Sequence, residues 1–361
     1  MPKIYFVDVT NRDGVQTSRL GLAKLQKTII NLMLDDMGIT QSEFGFPTTM
    51  HELNYLNANL ELVKRGVITK TKLSGWMRAI ASDVEQSFTN CPLLENCNLS
   101  QSTSEQMIQG KYLGKKTKED ILRMTCEAVE CAIDKGAKII GVNAEDASRS
   151  DIEFLVKLAK EAKKCGAYRF RYCDTLGYED PHTTYLRIQH IAKETQMPIE
   201  MHFHNDLGMA VACSVQGALA AVEAGQDAYI NTAINGMGER AGNADLVSCL
   251  LACTKSAGFK GKNLVDENID LSKSWKLAKY TAYAFGLPIP INQPAVGDNA
   301  FAHESGIHAD GALKDRRNYE LYDFEELGRG EPEIVETGRM ITTGEYPRTQ
   351  MKGSVLTRGL P

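Results

Sequence analysis

The chain has 361 residues, 43% of them apolar and 24% charged, with a formal net charge of -5. That length buries one large core and leaves room for a small appended domain. The charge is spread without long like-sign blocks, which argues against a nucleic-acid surface or a membrane-binding stripe, and no apolar run approaches the roughly twenty residues that span a bilayer.

Nine cysteines, an odd number with no CxxC pair, fit reduced thiols in a cytoplasmic setting. Cys249 and Cys253, one turn apart on an expected helix, read as core packing. The opening MPKIYFVDV enters a strand at once, so no export signal is expected. The densest basic stretch, KYLGKKTK from Lys111 to Lys118, reads as a short solvated loop.

Strand-like runs then alternate with helical ones. The strands are IYFVDV from Ile4, QSEFGF from Gln41, LSGWMRA from Leu73, NCNLSQ from Asn96, IIGVNA from Ile139, YRFRYCD from Tyr168, IEMHFH from Ile199 and DAYINTAI from Asp227. Between them, Leu22 to Met37, Lys118 to Lys135, Asp151 to Lys164 and Met209 to Ala224 carry apolar residues at helical spacing. Several of these segments stop at a glycine: Gly38, Gly136, Gly166 and Gly225. Eight consecutive strand-helix units predict an α/β fold, a TIM (β/α)8 barrel, over residues 1–260, with a small, mostly helical C-terminal subdomain over 261–361. An open doubly wound sheet would carry a dinucleotide fingerprint after its first strand, where this chain has Asn11, Arg12, Asp13 and Gly14.

The seventh strand carries the chemistry. A period of two puts His202 and His204 on one face. Buried imidazoles cost solvation unless something binds them, so the pair reads either as core histidines satisfied by carbonyls or as metal ligands, and Asn205 and Asp206 at the strand end favour the metal. Strand 8 of a barrel closes on strand 1, and barrel sites lie at the C-terminal strand ends. Asp13 and Arg12, the two histidines, and Asn243 at the end of GMGERAGN therefore share one rim. One carboxylate and two imidazoles leave coordination positions open, as a catalytic ion requires. Taken alone, Asp13 reads as a helix cap or a partner of Arg12. Gly236, Gly238 and Gly242 match no phosphate-loop spacing and read as a tight turn, with Glu239 and Arg240 pairing to brace the rim.

NRDG, EDASRSD, DTLG, HFHNDLGMA, NGMGERAGNADL and FAHESGIHADGALKDRRNYE together resemble the acyltransferase and metallolyase family. That family contains 2-isopropylmalate, homocitrate, citramalate and Re-type citrate synthases and hydroxymethylglutaryl-CoA lyase. The resemblance implies a divalent ion (Mn2+, Co2+, Mg2+ or Zn2+) on Asp13, His202 and His204, with Asn243 ligating it or beside it. It places Arg12 near the keto oxygen of a 2-oxo acid, Thr175 on its carboxylate, and Arg149 toward a distal carboxylate. Gln16 and Arg78 complete the implied substrate-binding set. Glu145, His308 and Tyr319 join Arg12 as catalytic residues, with His308 as the base that deprotonates acetyl-CoA. The last two match residues that synthases insert into the partner subunit's barrel, which implies a homodimer with sites completed in trans. Beside the resemblance, His308 also reads as a surface histidine in a Gly-flanked turn.

The implied reaction is a Claisen condensation of acetyl-CoA with a 2-oxo dicarboxylate, releasing CoA. The family's usual opening, DTTLRDGEQ, stands here as DVTNRDGVQ, with Asn11 and Val15 where Leu and Glu are common. No histidine accompanies Ile80 after strand 3, where lysine-pathway homocitrate synthases place one. Both departures resemble the Re-type citrate synthase branch, so oxaloacetate is expected ahead of 2-oxoglutarate. Carbon-carbon cleavage on the same barrel, and a catalytically silent barrel, are the competing readings. An end at Pro361 leaves no expected room for a feedback-regulatory domain, and the tail VETGRMITTGEYPRTQMKGS has no assigned role.

Overall fold

A computed structural model describes residues 1–20 and 23–330. Leu22, the expected start of the first helix, lies outside the described residues, as does the tail from 331 to 361. Eight parallel strands close into a barrel in sequence order. They are β1 (Ile4–Asp8), β2 (Gln41–Gly45), β3 (Lys72–Arg78), β4 (Asn96–Ser102), β5 (Ile139–Glu145), β6 (Arg169–Asp174), β7 (Ile199–Phe203) and β8 (Ala228–Thr232). Closure runs through five aligned residues, from Ile4 opposite Ala228 to Asp8 opposite Thr232. No helix of the described residues is long and apolar enough to cross a membrane.

The helical layer comprises α1 (Lys24–Met37), α2 (Leu53–Lys64), α3 (Ala81–Asn90), α4 (Glu105–Tyr112), α5 (Lys118–Asp134), α6 (Ile152–Lys164), α7 (Pro181–Thr195), α8 (Ala210–Glu223) and α9 (Leu246–Lys255). Local chemistry sets the helix starts. Thr117 and Asp120 form a reciprocal capping box, Asp151 and Asp245 cap α6 and α9, and Asp180 caps α7 ahead of Pro181. Gly38 ends α1 at φ +81, where any side chain would also strike the Asn268 carbonyl. The short α4, inserted between β4 and α5 and capped by Ser104, is an element the periodicity did not indicate.

Beyond the barrel, the chain returns across the start of β1, where the Ile4 amide donates to the Leu264 carbonyl and the Asp266 amide to that of Ile4. Then α10 (Ser274–Phe285) packs on α1, and α11 (Gly306–Lys314) follows the Pro-punctuated linker.

The barrel interior departs from the aliphatic filling expected of buried parallel strands. Arg169, Arg171, Glu43 and Glu200 are almost wholly buried. Arg171 bridges Glu43 at 2.6 Å and Glu200 at 2.7 Å, while Arg169 pairs with Glu200 and donates to Gln41 at 2.9 Å. Each charge has an opposite neighbour, and Gln41, Asn98 and Asn231 add hydrogen bonds to Arg169, Glu43 and Glu200, which is the condition under which ion pairs are tolerated in low dielectric.

Candidate metal centre

The β1 strand ends in a tight turn in which the amides of Arg12, Asp13 and Gly14 all donate to the Val9 carbonyl. This turn aims the Asp13 side chain across the barrel mouth. Asp13 Oδ2 lies 3.2 Å from His202 Nε2 and 3.8 Å from His204 Nε2, and the candidate ligand atoms of the three residues all lie within 4.8 Å of one another. The imidazoles stand perpendicular, with centroids 5.1 Å apart. All three residues are buried.

The loop after β8 supplies the fourth residue. His204 and Asn243 form an isolated antiparallel bridge, and the amides of Asn205 and Ala244 tie the two segments together through the carbonyls of Gly242 and Phe203. Gly238, at φ +152, makes room for the Asn243 carboxamide that a Cβ would strike. Asn243 Nδ2 donates to the Met237 carbonyl at 2.9 Å, while its Oδ1 is buried without a hydrogen bond. Asp13 Oδ2 is likewise buried without one. Such orphaned buried oxygens are costly and call for a partner. A divalent cation fits the donor set of one carboxylate, two imidazoles and one amide oxygen.

Electrostatics suit the same purpose. Burial would raise the Asp13 carboxyl, but Arg12 and the two histidines override it and hold it well below the usual carboxylate range. Burial and the neighbouring His202 push His204 down to about 4, which keeps it neutral and able to ligate. Arg12 is held from below: its Nε lies 2.5 Å from Glu43 Oε1 and its Nη1 3.6 Å from Asp13 Oδ2. Burial opposes ionisation of Glu43, yet Arg12 and Arg171 bring it down to about 2.

Around this centre the expected substrate residues divide. Thr175 Oγ1 accepts from the Asp146 amide at 2.9 Å, which leaves its own proton available to a ligand. Arg149 is held by Asp146 through Nε and Nη2, and Arg78 by Asp83 through two bonds of 2.6 and 2.9 Å. Gln16 is exposed in the short turn after Asp13. Glu145, at the end of β5, accepts from Ser102 at 2.6 Å and is gripped at both oxygens by Lys111 Nζ, at 2.5 and 2.6 Å. His308 stacks on Tyr319 at 4.3 Å, with His303 about 6 Å from both rings. No contact among the described residues joins that pair to the metal triad or to Glu145.

The expected Glu239–Arg240 ion pair forms, at 3.7 Å, and Arg240 also pairs more closely with Asp206, at 2.9 and 3.0 Å, and donates to the Thr175 carbonyl at 2.6 Å. One expectation changes. The KYLGKKTK stretch is more than a solvated loop, since Lys111 sits on Glu145. Sequence reasoning also passed over Glu43 and Asn143. Asn143 points into the barrel from β5 with both amide atoms buried and unbonded. For Glu43 the available signal was the polar residues at alternate positions, Gln41 and Glu43 in QSEFGF and Arg169 and Arg171 in YRFRYCD; IIGVNA gave none for Asn143.

The sequence matches the HMGL-like family over residues 3–280 and the homocitrate synthase post-HMGL domain-like family over residues 295–343. A citrate (Re)-synthase of Dehalococcoides mccartyi is 58% identical over 96% of this chain and 83% of its own length. A 2-isopropylmalate synthase of Caldanaerobacter subterraneus is 40% identical over 98% and 87%. In fold, the chain is similar to the Bacillus subtilis HMG-CoA lyase, with a TM-score of 0.63 at 18% identity over 80% of this chain and 97% of that one. With its barrel and its post-barrel segment both matched, the chain belongs to the HMGL-like family, within the group of synthases that carry the homocitrate-synthase type of C-terminal extension.

Proposed function

We propose that this protein is a metal-dependent acyltransferase that condenses acetyl-CoA with a 2-oxo dicarboxylic acid and releases CoA. Oxaloacetate, giving citrate in the Re-type manner, stands ahead of 2-oxoglutarate, giving homocitrate. The observation that carries the reading is the triad of Asp13, His202 and His204 with the orphaned Asn243 oxygen beside it, in a chain 58% identical to a citrate (Re)-synthase. Arg12, Arg169 and Arg171 are matched by Asp13, Glu43 and Glu200, so these pairs leave the charge of a divalent ion available to an anionic acceptor.

When bound, the ion supplies Lewis-acid stabilisation of the charge that develops on the keto oxygen, worth several kcal/mol. Arg12, pinned at Nε by Glu43, presents its remaining nitrogens to that oxygen, and the Thr175 hydroxyl donates to the adjoining carboxylate. His308 takes a methyl proton from acetyl-CoA, assisted by Glu145 and Tyr319. The methyl carbon bonds to the keto carbon, and water then cleaves the thioester to give the free carboxylate and CoA. The exposure of the stacked His308 and Tyr319 pair supports completion of the site in trans by a second subunit. Nine free thiols support a cytoplasmic location. Division of labour between a barrel over 1–260 and a C-terminal subdomain over 261–361 belongs to the same proposal.

The test is CoA release with Mn2+, Co2+, Mg2+ or Zn2+, presenting oxaloacetate, 2-oxoglutarate, pyruvate and 2-oxoisovalerate separately. Oxaloacetate is expected to give the highest kcat/KM. A preference for 2-oxoisovalerate or pyruvate would assign the chain to 2-isopropylmalate or citramalate synthesis instead. Metal binding without turnover on any acceptor would mark a silent barrel.

A further inference from the structure

The basic stretch that the reaction leaves unused sits at the catalytic rim. It begins on α4, whose Lys111 holds both Glu145 oxygens, and whose last turn is anchored by the Tyr112 hydroxyl donating to Gln101 at 2.6 Å. Two consecutive left-handed residues follow, Leu113 at φ +51 and Gly114 at φ +68, and the chain reverses there before α5. The turn, closed by the Lys115 amide donating to the Tyr112 carbonyl, leaves Lys115 exposed and Lys116 half-buried, with the Leu113 side chain 75% exposed beside them. Four other cations at the mouth have carboxylate partners, Arg12 with Glu43, Arg78 with Asp83, Arg149 with Asp146 and Arg240 with Asp206, whereas the exposed Arg19 of the loop after β1 makes no ion pair among the described residues. Lys115 and Lys116 make no ion pair among the described residues. Of the acids that follow them, Glu119 makes no ion pair among the described residues, and Asp120 is engaged by Thr117 and Arg123, with the Lys116 charge also helping to keep it ionised.

We propose that the turn carrying Lys115 and Lys116 binds the phosphate groups of the coenzyme A nucleotide, with Leu113 against its apolar portion. The inference rests on the acetyl-CoA reading of the site. A thioester entering by the open rim must place its acyl group near Glu145, and its phosphates then need cations further out on the same wall. Unpaired lysines on a backbone turn supply point charges of the kind that hold phosphate. Free inorganic phosphate has the same chemistry, so the test separates the two.

In the full-length enzyme, Lys115→Glu combined with Lys116→Glu is compared with the wild type on two thioesters: acetyl-CoA and acetyl-N-acetylcysteamine, which lacks the nucleotide. The advantage of acetyl-CoA over the truncated thioester in kcat/KM is expected to fall about tenfold or more in the variant, and to shrink with added salt in the wild type. A direct titration with adenosine 3′,5′-bisphosphate should show binding to the wild type that the variant loses, whereas inorganic phosphate at equal concentration should not compete. An unchanged thioester preference in an active enzyme would overturn the site while leaving the acyltransferase reading intact. Loss of bisphosphate binding in the variant of an enzyme that turns over no acceptor would retain the site and sink that reading. Competition by phosphate alone would reassign the turn to a general anion site.

Discussion

Arg12 Nε meets Glu43 Oε1 at 2.5 Å, and the same carboxylate receives Arg171 at 2.6 Å and Asn98 Nδ2 at 2.6 Å. The metal-type triad therefore stands on a buried ionic platform rather than on an apolar plug. Glu43→Gln leaves two buried guanidinium groups short of a counter-charge, and removing one partner of such a pair costs about 3–5 kcal/mol. Urea unfolding of the metal-free protein should show that loss. A change below about 1 kcal/mol would mean that the arginines find other partners and the platform is dispensable.

Metal removal is the second prediction. The triad and Asn243 hold orphaned atoms that a cation satisfies, and the unfolded chain does not preform the site. Binding should raise the unfolding free energy by about 2.7 kcal/mol at a hundredfold excess over Kd. Thermal unfolding after chelation, followed by readdition of Mn2+ or Co2+, measures the gain. His202→Ala should abolish it. An equal gain in wild type and variant would place the ion elsewhere.

A third prediction concerns pH. Burial raises the Glu179 carboxyl to about 7, outweighing the hydrogen bonds from Tyr172 and Thr184 and the charge of Arg187 at 3.4 Å. The folded state then holds a proton that the unfolded state releases near its ordinary value. This contribution is complete below about pH 4.5 and is lost as the pH rises to about 7, for a total of about 1–3 kcal/mol. Glu179→Gln removes it. Asp8, also raised to about 7 by burial, is retained in both proteins, so the difference in slope between pH 5 and pH 8 reads Glu179 alone. Parallel slopes would contradict the assignment.

The barrel was legible because its period-two strands and glycine-stopped helices are local signals. His202 and His204 were visible for the same reason, being two residues apart on one strand. The ionic platform was not, since Arg171 meets Glu200 only through the register of β6 with β7, and Glu43 lies 128 residues from Arg171. The contact of Lys111 with Glu145, 34 residues away, depends on α4, an eight-residue helix whose clearest start signal is a single capping serine. Short inserted helices carry little periodicity, and ion pairs across them leave no sequence spacing to read.

Asn143 yields a fourth prediction. Both of its amide atoms are buried and unbonded, so Asn143→Ala breaks no internal hydrogen bond and should leave the unfolding midpoint nearly unchanged. If the carboxamide meets a substrate carboxylate, its loss forfeits a charged hydrogen bond worth about 1.5–3 kcal/mol, and KM for the 2-oxo acid should rise about tenfold or more. Arg149→Ala should also weaken use of a dicarboxylic acceptor far more than metal binding, although it strands the buried Asp146 as well. Steady-state kinetics and metal titration on both variants decide. Equal loss of acceptor use and metal affinity in either would remove that residue from the acceptor pocket.

The fifth prediction concerns the stacked pair. His308 and Tyr319 lie 4.3 Å apart on an exposed segment, and Gly311 opens the space that the tyrosine ring occupies against α11. A positioned base contributes about 10²–10⁴ in rate, so His308→Ala should lower kcat by that amount with metal affinity preserved. Asp13→Asn should instead lose the metal while keeping the pair. If each barrel is completed by the other subunit, mixing the two inactive variants and allowing subunits to exchange creates heterodimers. One site of each heterodimer then has an intact triad and an intact pair, while the other has neither. Activity should therefore rise well above the mean of the separate variants, with sedimentation confirming a dimer. A mixture that stays at that mean after proven exchange would place His308 in the site of its own chain.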